Sequence, residues 1–249
     1  MKQFNRTPSR FLLLAAVCLC AGCVTQVQSE RVATFISPDW EASAPARIVV
    51  VPFGAPADAV EGRELLTEAI ALQLQRTLHA DVFVAEAEDK RIMAEASMWR
   101  RGRVDLDALI ETQRRYNADA FLFGAITRYK QYDPPIIGLK LGLLSASSGE
   151  ALWAAEAVFD AHNPYTRANA QEYFRYSGMK NVLYGEDLVL MSPRLFARFA
   201  AVELVKPLAT HIYGEDTEDR RTIATLSDRG YRTPKDCWKD AVKEGLSWN

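Results

Sequence analysis

Apolar positions along the middle of this chain change period several times. Arg47 to Phe53 is a β-branched run closed by Gly54, which predicts a buried strand. Glu61 to His79 carries Leu66, Ile70, Leu74 and Leu78 at four-residue steps, with Leu65, Ala69 and Leu72 widening the stripe. That spacing predicts an amphipathic helix on a core. Asp81 to Ala85 reads as a second strand, and Glu88 to Trp99 as a helix. Val104 to Tyr116 predicts another helix, with Asp105 and Asp107 near its positive end. Asp119 to Thr127 is a long strand. Ile136 to Ala146 and Glu150 to Ala161 are two more, turning at Ser147, Ser148 and Gly149 to make a hairpin. The fold class expected is α/β (α+β). It has a mixed sheet, amphipathic helices mainly on one face, a long C-terminal hairpin and further helices at the C-terminus. Val49, Val51, Leu66, Ile70, Phe121 and Phe123 are expected to share one sheet–helix core.

Beyond the hairpin the pattern loosens. From His162 to Met191 tyrosines are interspersed with arginines. Ser192 and Pro193 then form a helix start, a capping side chain followed by a first-turn proline. Leu195, Phe196, Phe199, Val202 and Val205 make that helix's apolar face, and Pro207 is expected to stop it. Glu215 to Arg221 reads as a charged linker. Thr233 and Pro234 start a short terminal helix with Trp238, Val242 and Leu246 on one side.

The N-terminus has a different logic. Lys2, Arg6 and Arg10 precede an apolar run from Phe11 to Ala21, and no acid occurs before Glu30. The run is shorter than the ~20 residues a membrane-spanning helix needs, and it matches a signal-peptide core of roughly 7–15 residues. Ala21 and Gly22 then place small residues just before Cys23. This order resembles the lipobox of bacterial lipoproteins. The resemblance implies cleavage before Cys23 and a diacylglycerol on its thiol. Cys20 stands where that family most often has Leu. An ordinary signal peptide cut near Gly22, or a retained helix, are the alternatives. Val24 is not the Asp that retains lipoproteins at the inner membrane of enterobacteria-like cells, so the expected address is the outer membrane, facing the periplasm.

The layout expected is a signal peptide over 1–22, a polar lipidated tether over 23–45, and an α/β domain over 46–211 with an insertion at about 162–191. A charged linker and terminal helix follow over 212–249. Removing Lys2, Arg6 and Arg10 from 30 basic residues leaves 27 against 32 acids, a mature charge near −5. Nothing there favours nucleic acid. With Cys18 and Cys20 in the signal and Cys23 acylated, Cys237 is alone, so the fold rests on a hydrophobic core and not on a disulfide.

Val49 to Phe53, Ala118 to Thr127, Gly138 to Leu141, and Ser148 to Trp153 form an ordered series. It is similar to the CsgG/LpoB-like envelope lipoprotein group: the curli secretion channel lipoprotein, LpoB-type activators of penicillin-binding proteins, and flagellar and Pel-polysaccharide accessory lipoproteins. The likeness covers residues 47–161 and extends to the helix from Pro193 to Pro207. It implies a non-enzymatic accessory or regulatory role in an envelope assembly serving secretion, polysaccharide, flagellum or cell wall. A subunit of a secretion channel or ring is one alternative, and an unrecognised envelope-polymer hydrolase another. A pore would need ~9–11-residue strands alternating apolar and polar. Asn163 to Leu190 shows no such alternation, and Arg167, Asn169, Gln171, Glu172 and Arg175 crowd its first half.

No nucleophile elbow, zinc-protease motif, phosphate loop or paired-cysteine motif occurs. His79, His162 and His211 lack partners at ligand spacing and suit helix ends or surfaces. Cys237 beside Trp238 suits packing better than catalysis. Glu215, Asp216, Glu218 and Asp219 lack the glycine of a calcium loop. No cofactor and no metal is expected. The partners expected are a membrane, through the N-terminal lipid, and an envelope protein or a second copy. Candidate contact residues are Trp99, Arg100, Arg101 and Arg103, which join an aromatic to arginines, and Tyr165, Tyr173 and Tyr176. Each group has a plainer reading, a charged loop for the first and a subdomain over the sheet edge for the second. Tyr132 to Pro135 is a third candidate, explained as simply by a break between strands. Both faces of the strand holding Trp153 are apolar. One face carries Ala151, Trp153, Ala155 and Ala157, the other Leu152, Ala154, Glu156 and Val158, nearly as apolar. Both faces of this strand want cover, which the 162–191 segment, favoured here, or another subunit would provide.

Overall fold

The computed structural model describes residues 32–85, 106–132, 134–179 and 183–214, without the side chains of 58 and 106–109. The helix expected at Glu88–Trp99, the linker after Glu215 and the terminal helix lie outside these residues. The elements in order are β1 (Ala33–Ile36), α1 (Trp40–Ser43), β2 (Arg47–Val50), α2 (Gly62–Leu78), β3 (Asp81–Val84) and α3 (Leu106–Tyr116). Then come β4 (Ala120–Lys130), β5 (Ile136–Ser145), β6 (Ala151–Asp160), α4 (Pro164–Tyr176), α5 (Leu188–Met191) and α6 (Pro193–Tyr213).

All six strands form one sheet in the order β1-β6-β5-β4-β2-β3. β2 runs parallel to β3 and β4, and the remaining pairs are antiparallel. This is the mixed α/β sheet with a long hairpin that the periodicity predicts. β2 lies inside the sheet between β4 and β3, and Ile48, Val49 and Val50 are all fully buried. A strand covered on both faces needs apolar residues at every position, which explains its unbroken β-branched run.

The main core lies between the sheet and α2, α4 and α6. Ile48, Val50 and Leu122 from the central strands meet Leu66, Ile70 and Leu74 of α2 and Phe196, Phe199 and Leu204 of α6. Each such side chain contributes roughly 1.5–3 kcal/mol by leaving water. Ser192 caps α6 by accepting from the Leu195 N–H at 3.4 Å, and Asn163 caps α4 from the Tyr165 N–H at 2.9 Å. Both caps are followed by proline in the first turn.

The expected core needs one correction. Val49, Val51, Phe121 and Phe123 are buried, but in a second cluster with Leu144, Ala118 and Ala146, apart from Leu66 and Ile70. Alternate strand residues point to opposite faces, so Val49 and Ile48 cannot serve one core. Tyr116 of α3 packs on this second cluster.

Three boundaries also differ. Residues 24–45 read as a tether, yet β1 forms within them and Trp40 is buried. The strand is too short to show a period, and its pairing with β6 supplies the structure. Pro207 does not stop α6, which runs on to Tyr213. Proline removes one helix hydrogen bond, but Leu204, Val205, Leu208 and Ala209 are buried around it, and their packing holds the helix together. A bulge between Leu143 and Leu144 leaves Leu152 without a partner on β5. Leu152 therefore joins Trp153 in the main core, while Ala151 is exposed.

Candidate functional site

Among the described residues the tyrosine candidates separate. Tyr173 is turned inward on α4, with its ring 6.1 Å from that of Phe199. It serves packing, as do Ala170 and Phe174, which join the main core. Tyr165 and Tyr176 are exposed. They lie eleven residues apart, three helical turns, and so share the outer face of α4. Tyr184, Leu183 and Met191 add to the exposed apolar surface after it. Arg175 clamps this segment to the following turn, donating from Nε and Nη2 to Glu186 at 2.7 and 2.8 Å. That hydrogen-bonded pair, working against slight desolvation, holds the Glu186 carboxyl below its ordinary range. Residues 164–176 are thus a helix fastened over the sheet, not a strand pair. Cys23, Trp99, Arg100, Arg101 and Arg103 lie outside the described residues.

The histidines occupy element ends. His79 closes α2 in the left-handed region at φ 53°. Tyr213 Oη donates to the Thr77 carbonyl at 2.7 Å and lies 3.1 Å from His79 Nδ1, tying the end of α6 to the end of α2. His162 donates its backbone N–H to Asp160 Oδ1 at 2.8 Å, and its Nδ1 lies 2.7 Å from the same atom. Partial burial pushes the Asp160 carboxyl up, but the two His162 hydrogen bonds, with the charges of His162 and Arg128, outweigh this and hold it below its usual value. Among the described residues no three His, Cys, Asp or Glu side chains gather as metal ligands. No described helix is long and apolar enough to cross a membrane.

The face of β6 opposite the helices is partly exposed. In an antiparallel sheet, directly opposed residues share a face. One such row joins Phe123, Gly142, Ala154 and Phe35, and the next joins Ala125, Lys140, Glu156 and Ala33. A third joins Arg128, Gly138 and Val158, and a fourth Lys130, Ile136 and Asp160. Phe35 on the edge strand is 49% exposed. Lys140 and Glu156 are exposed, and Ala154 and Val158 half-buried. Trp153, Ala155, Ala157 and Phe159 point the other way, into the main core under α4 and α6. The described part of the 162–191 segment thus lies on the Trp153 side of β6. Sequence reasoning saw that both faces of β6 want cover but missed Lys140 and Glu156 as a facing pair, because the bulge at Leu152 sets their register.

No family model and no curated protein matches the chain. Solved structures do. The PelC dodecamer from Paraburkholderia phytofirmans is similar at a TM-score of 0.39 and 17% identity, over 55% of this chain and 86% of that one. Lipoprotein GNA1162 from Neisseria meningitidis gives a TM-score of 0.33 and 21% identity, over 47% and 81%. The LpoB C-terminal domain from Salmonella enterica gives a TM-score of 0.32 and 13% identity, over 45% and 81%. Each of these matches spans about half of this chain.

Proposed function

We propose that this protein is an accessory component of a bacterial envelope assembly, held at the outer membrane by a lipid on Cys23 and acting by association. The observation that carries the reading is the short distance from anchor to fold. Positively charged residues, an apolar run and Ala21-Gly22-Cys23 come in lipobox order, and β1 begins only ten residues after Cys23. Ten extended residues reach at most ~36 Å. A lipid there would hold the sheet's β1 edge close to the membrane. Multiple acyl chains on one cysteine exceed the marginal hold of a single chain.

Association is supported by what the surface offers. The Tyr165–Tyr176 face of α4 is displayed by a rigid element, as a binding surface requires.

The test is fractionation of cells expressing the wild type and Cys23→Ala. The wild type should travel with membranes and carry acyl mass on an N-terminal Cys23. The variant should lose both the mass and the processing. Soluble, unmodified wild-type protein in the periplasm would overturn the anchor. Turnover of peptidoglycan or polysaccharide that survives purification and is abolished by one substitution would overturn association in favour of catalysis.

A further inference from the structure

We infer that the end of the sheet holding Val60, Tyr132 and Tyr165 rests on the membrane, so that the protein touches the bilayer both through the lipid on Cys23 and through these side chains. The inference deepens the function proposed above and rests on its lipid anchor.

Topology gathers the three residues at one end of the sheet. Lys130, Ile136 and Asp160 stand in one row, so β4 and β6 end at the level where β5 begins. Tyr132 lies in the connection from β4 to β5. Beyond β6, the Ala161 N–H donates to the Pro135 carbonyl at 3.0 Å, and α4 starts three residues later with Pro164 and Tyr165. Val60 reaches the same end from the other side of β4. β2 runs parallel to β4, and the chain beyond it stays beside β4, where the Ile126 N–H donates to the Gly54 carbonyl at 2.8 Å. It then climbs to Gly62, so near the Tyr129 ring that a Cβ there would come within 2.6 Å of Tyr129 Cε2.

The side chains at this end are apolar and open. Tyr132 is 60% exposed, Val60 49% and Tyr165 42%. The other end of the hairpin is polar: Ser145, Ser147, Ser148 and Glu150 hydrogen-bond with one another at its turn.

The tether selects the occupant. β1 is antiparallel to β6, with Ala33 opposite Glu156 and Ile36 opposite Trp153. Followed back towards Cys23, the chain therefore leaves β1 pointing at the Tyr132 end. Four strand positions, ~13 Å, separate the level of Glu156 from that of Asp160. Ten extended residues reach ~36 Å, so the lipid and the three side chains meet the same bilayer. Tyrosine suits that place, since its ring is apolar and its hydroxyl stays at the headgroup level. The patch is too small to hold a membrane unaided. The lipid supplies the effective concentration that makes so weak a contact count.

The test uses the full lipidated chain in phosphatidylethanolamine–phosphatidylglycerol vesicles, with Cys237→Ser as background. A nitroxide is placed by Tyr132→Cys, by Val60→Cys or, at the polar end, by Ser148→Cys. Electron paramagnetic resonance then reads its accessibility to oxygen, which enriches in lipid, and to a water-soluble nickel complex. Labels at 132 and 60 should be at least ~threefold less accessible to nickel than the label at 148, and more accessible to oxygen, as positions in the headgroup region are. Equal nickel access at all three positions, in protein that pellets with the vesicles and carries acyl mass, overturns the inference and leaves the anchor standing. Shielding of 132 and 60 from both reagents means that protein, a second copy, covers this end, and also overturns it. Wild type without acyl mass overturns the anchor, and the inference falls with it.

Discussion

The backbone of Gly124 lies against the ring of Phe53: a Cβ on Gly124 would come within 2.3 Å of Phe53 Cδ1. Both residues are buried, and Gly124 is joined to the loop after β2 by the Gly54 N–H donating to its carbonyl at 2.8 Å. The ring cannot retreat easily, because Thr67 Oγ1 accepts from the Phe53 N–H at 3.2 Å and fixes the loop to α2. Gly124→Ala should therefore destabilise by ~1–3 kcal/mol through overpacking. Denaturant unfolding measures it. Adding Phe53→Leu should recover part of the loss. Equal stability of Gly124→Ala and wild type would mean the loop yields.

Asp119 joins two parallel strands at their start. Its Oδ2 accepts from the backbone N–H of Ala46 at 3.1 Å and of Arg47 at 2.9 Å. These hold the entry of β2 beside β4. Asp119→Ala leaves two donors to find water and should cost about 1–3 kcal/mol. Asp119→Asn, which keeps an acceptor oxygen, should cost less. Thermal melts of both variants decide the order.

Trp153 is fully buried, and its indole N–H has no hydrogen-bond partner. An unpaired buried donor costs ~1–3 kcal/mol, and phenylalanine removes it at the price of a smaller ring. Trp153→Phe should therefore cost clearly less than Trp153→Ala, since removing the unpaired donor offsets part of the cavity left by the smaller ring. Trp153→Ala should lose about 3–5 kcal/mol from the cavity. A large loss in the phenylalanine variant would show that the N–H is satisfied in solution.

The Asp160 carboxyl is held below its ordinary value by His162 and Arg128. A depressed folded pKa contributes stability that is complete above the unfolded pKa. It is lost as pH falls through the folded pKa. Wild type should therefore lose stability relative to Asp160→Asn as pH drops through the carboxylate range. Unfolding midpoints from neutral to acid pH measure this, and parallel curves would remove Asp160 as a contributor.

Much of the fold can be read from local pattern alone. The four-residue stripe of α2, the β-branched run of β2, the hairpin after Ser145 and the Ser192-Pro193 start of α6 all state their structure within a dozen residues, because helix and strand periods are local properties. The Cys23 lipobox order is likewise a linear signal. The tertiary structure decided what no local period contains. Val49 and Phe121 face away from Leu66 because burial shows as hydrophobicity without naming the face. β1 exists only because β6 offers an edge to a segment that reads as polar. Pro207 is tolerated only because neighbours bury the residues around it. The extra residue at Leu152 shifts the hairpin by one, so Lys140 stands opposite Glu156, where a count outward from the turn would give Ala155. A single-residue slip exchanges the faces of a strand, so the Lys140–Glu156 pairing belongs to the register, which the sheet as a whole sets.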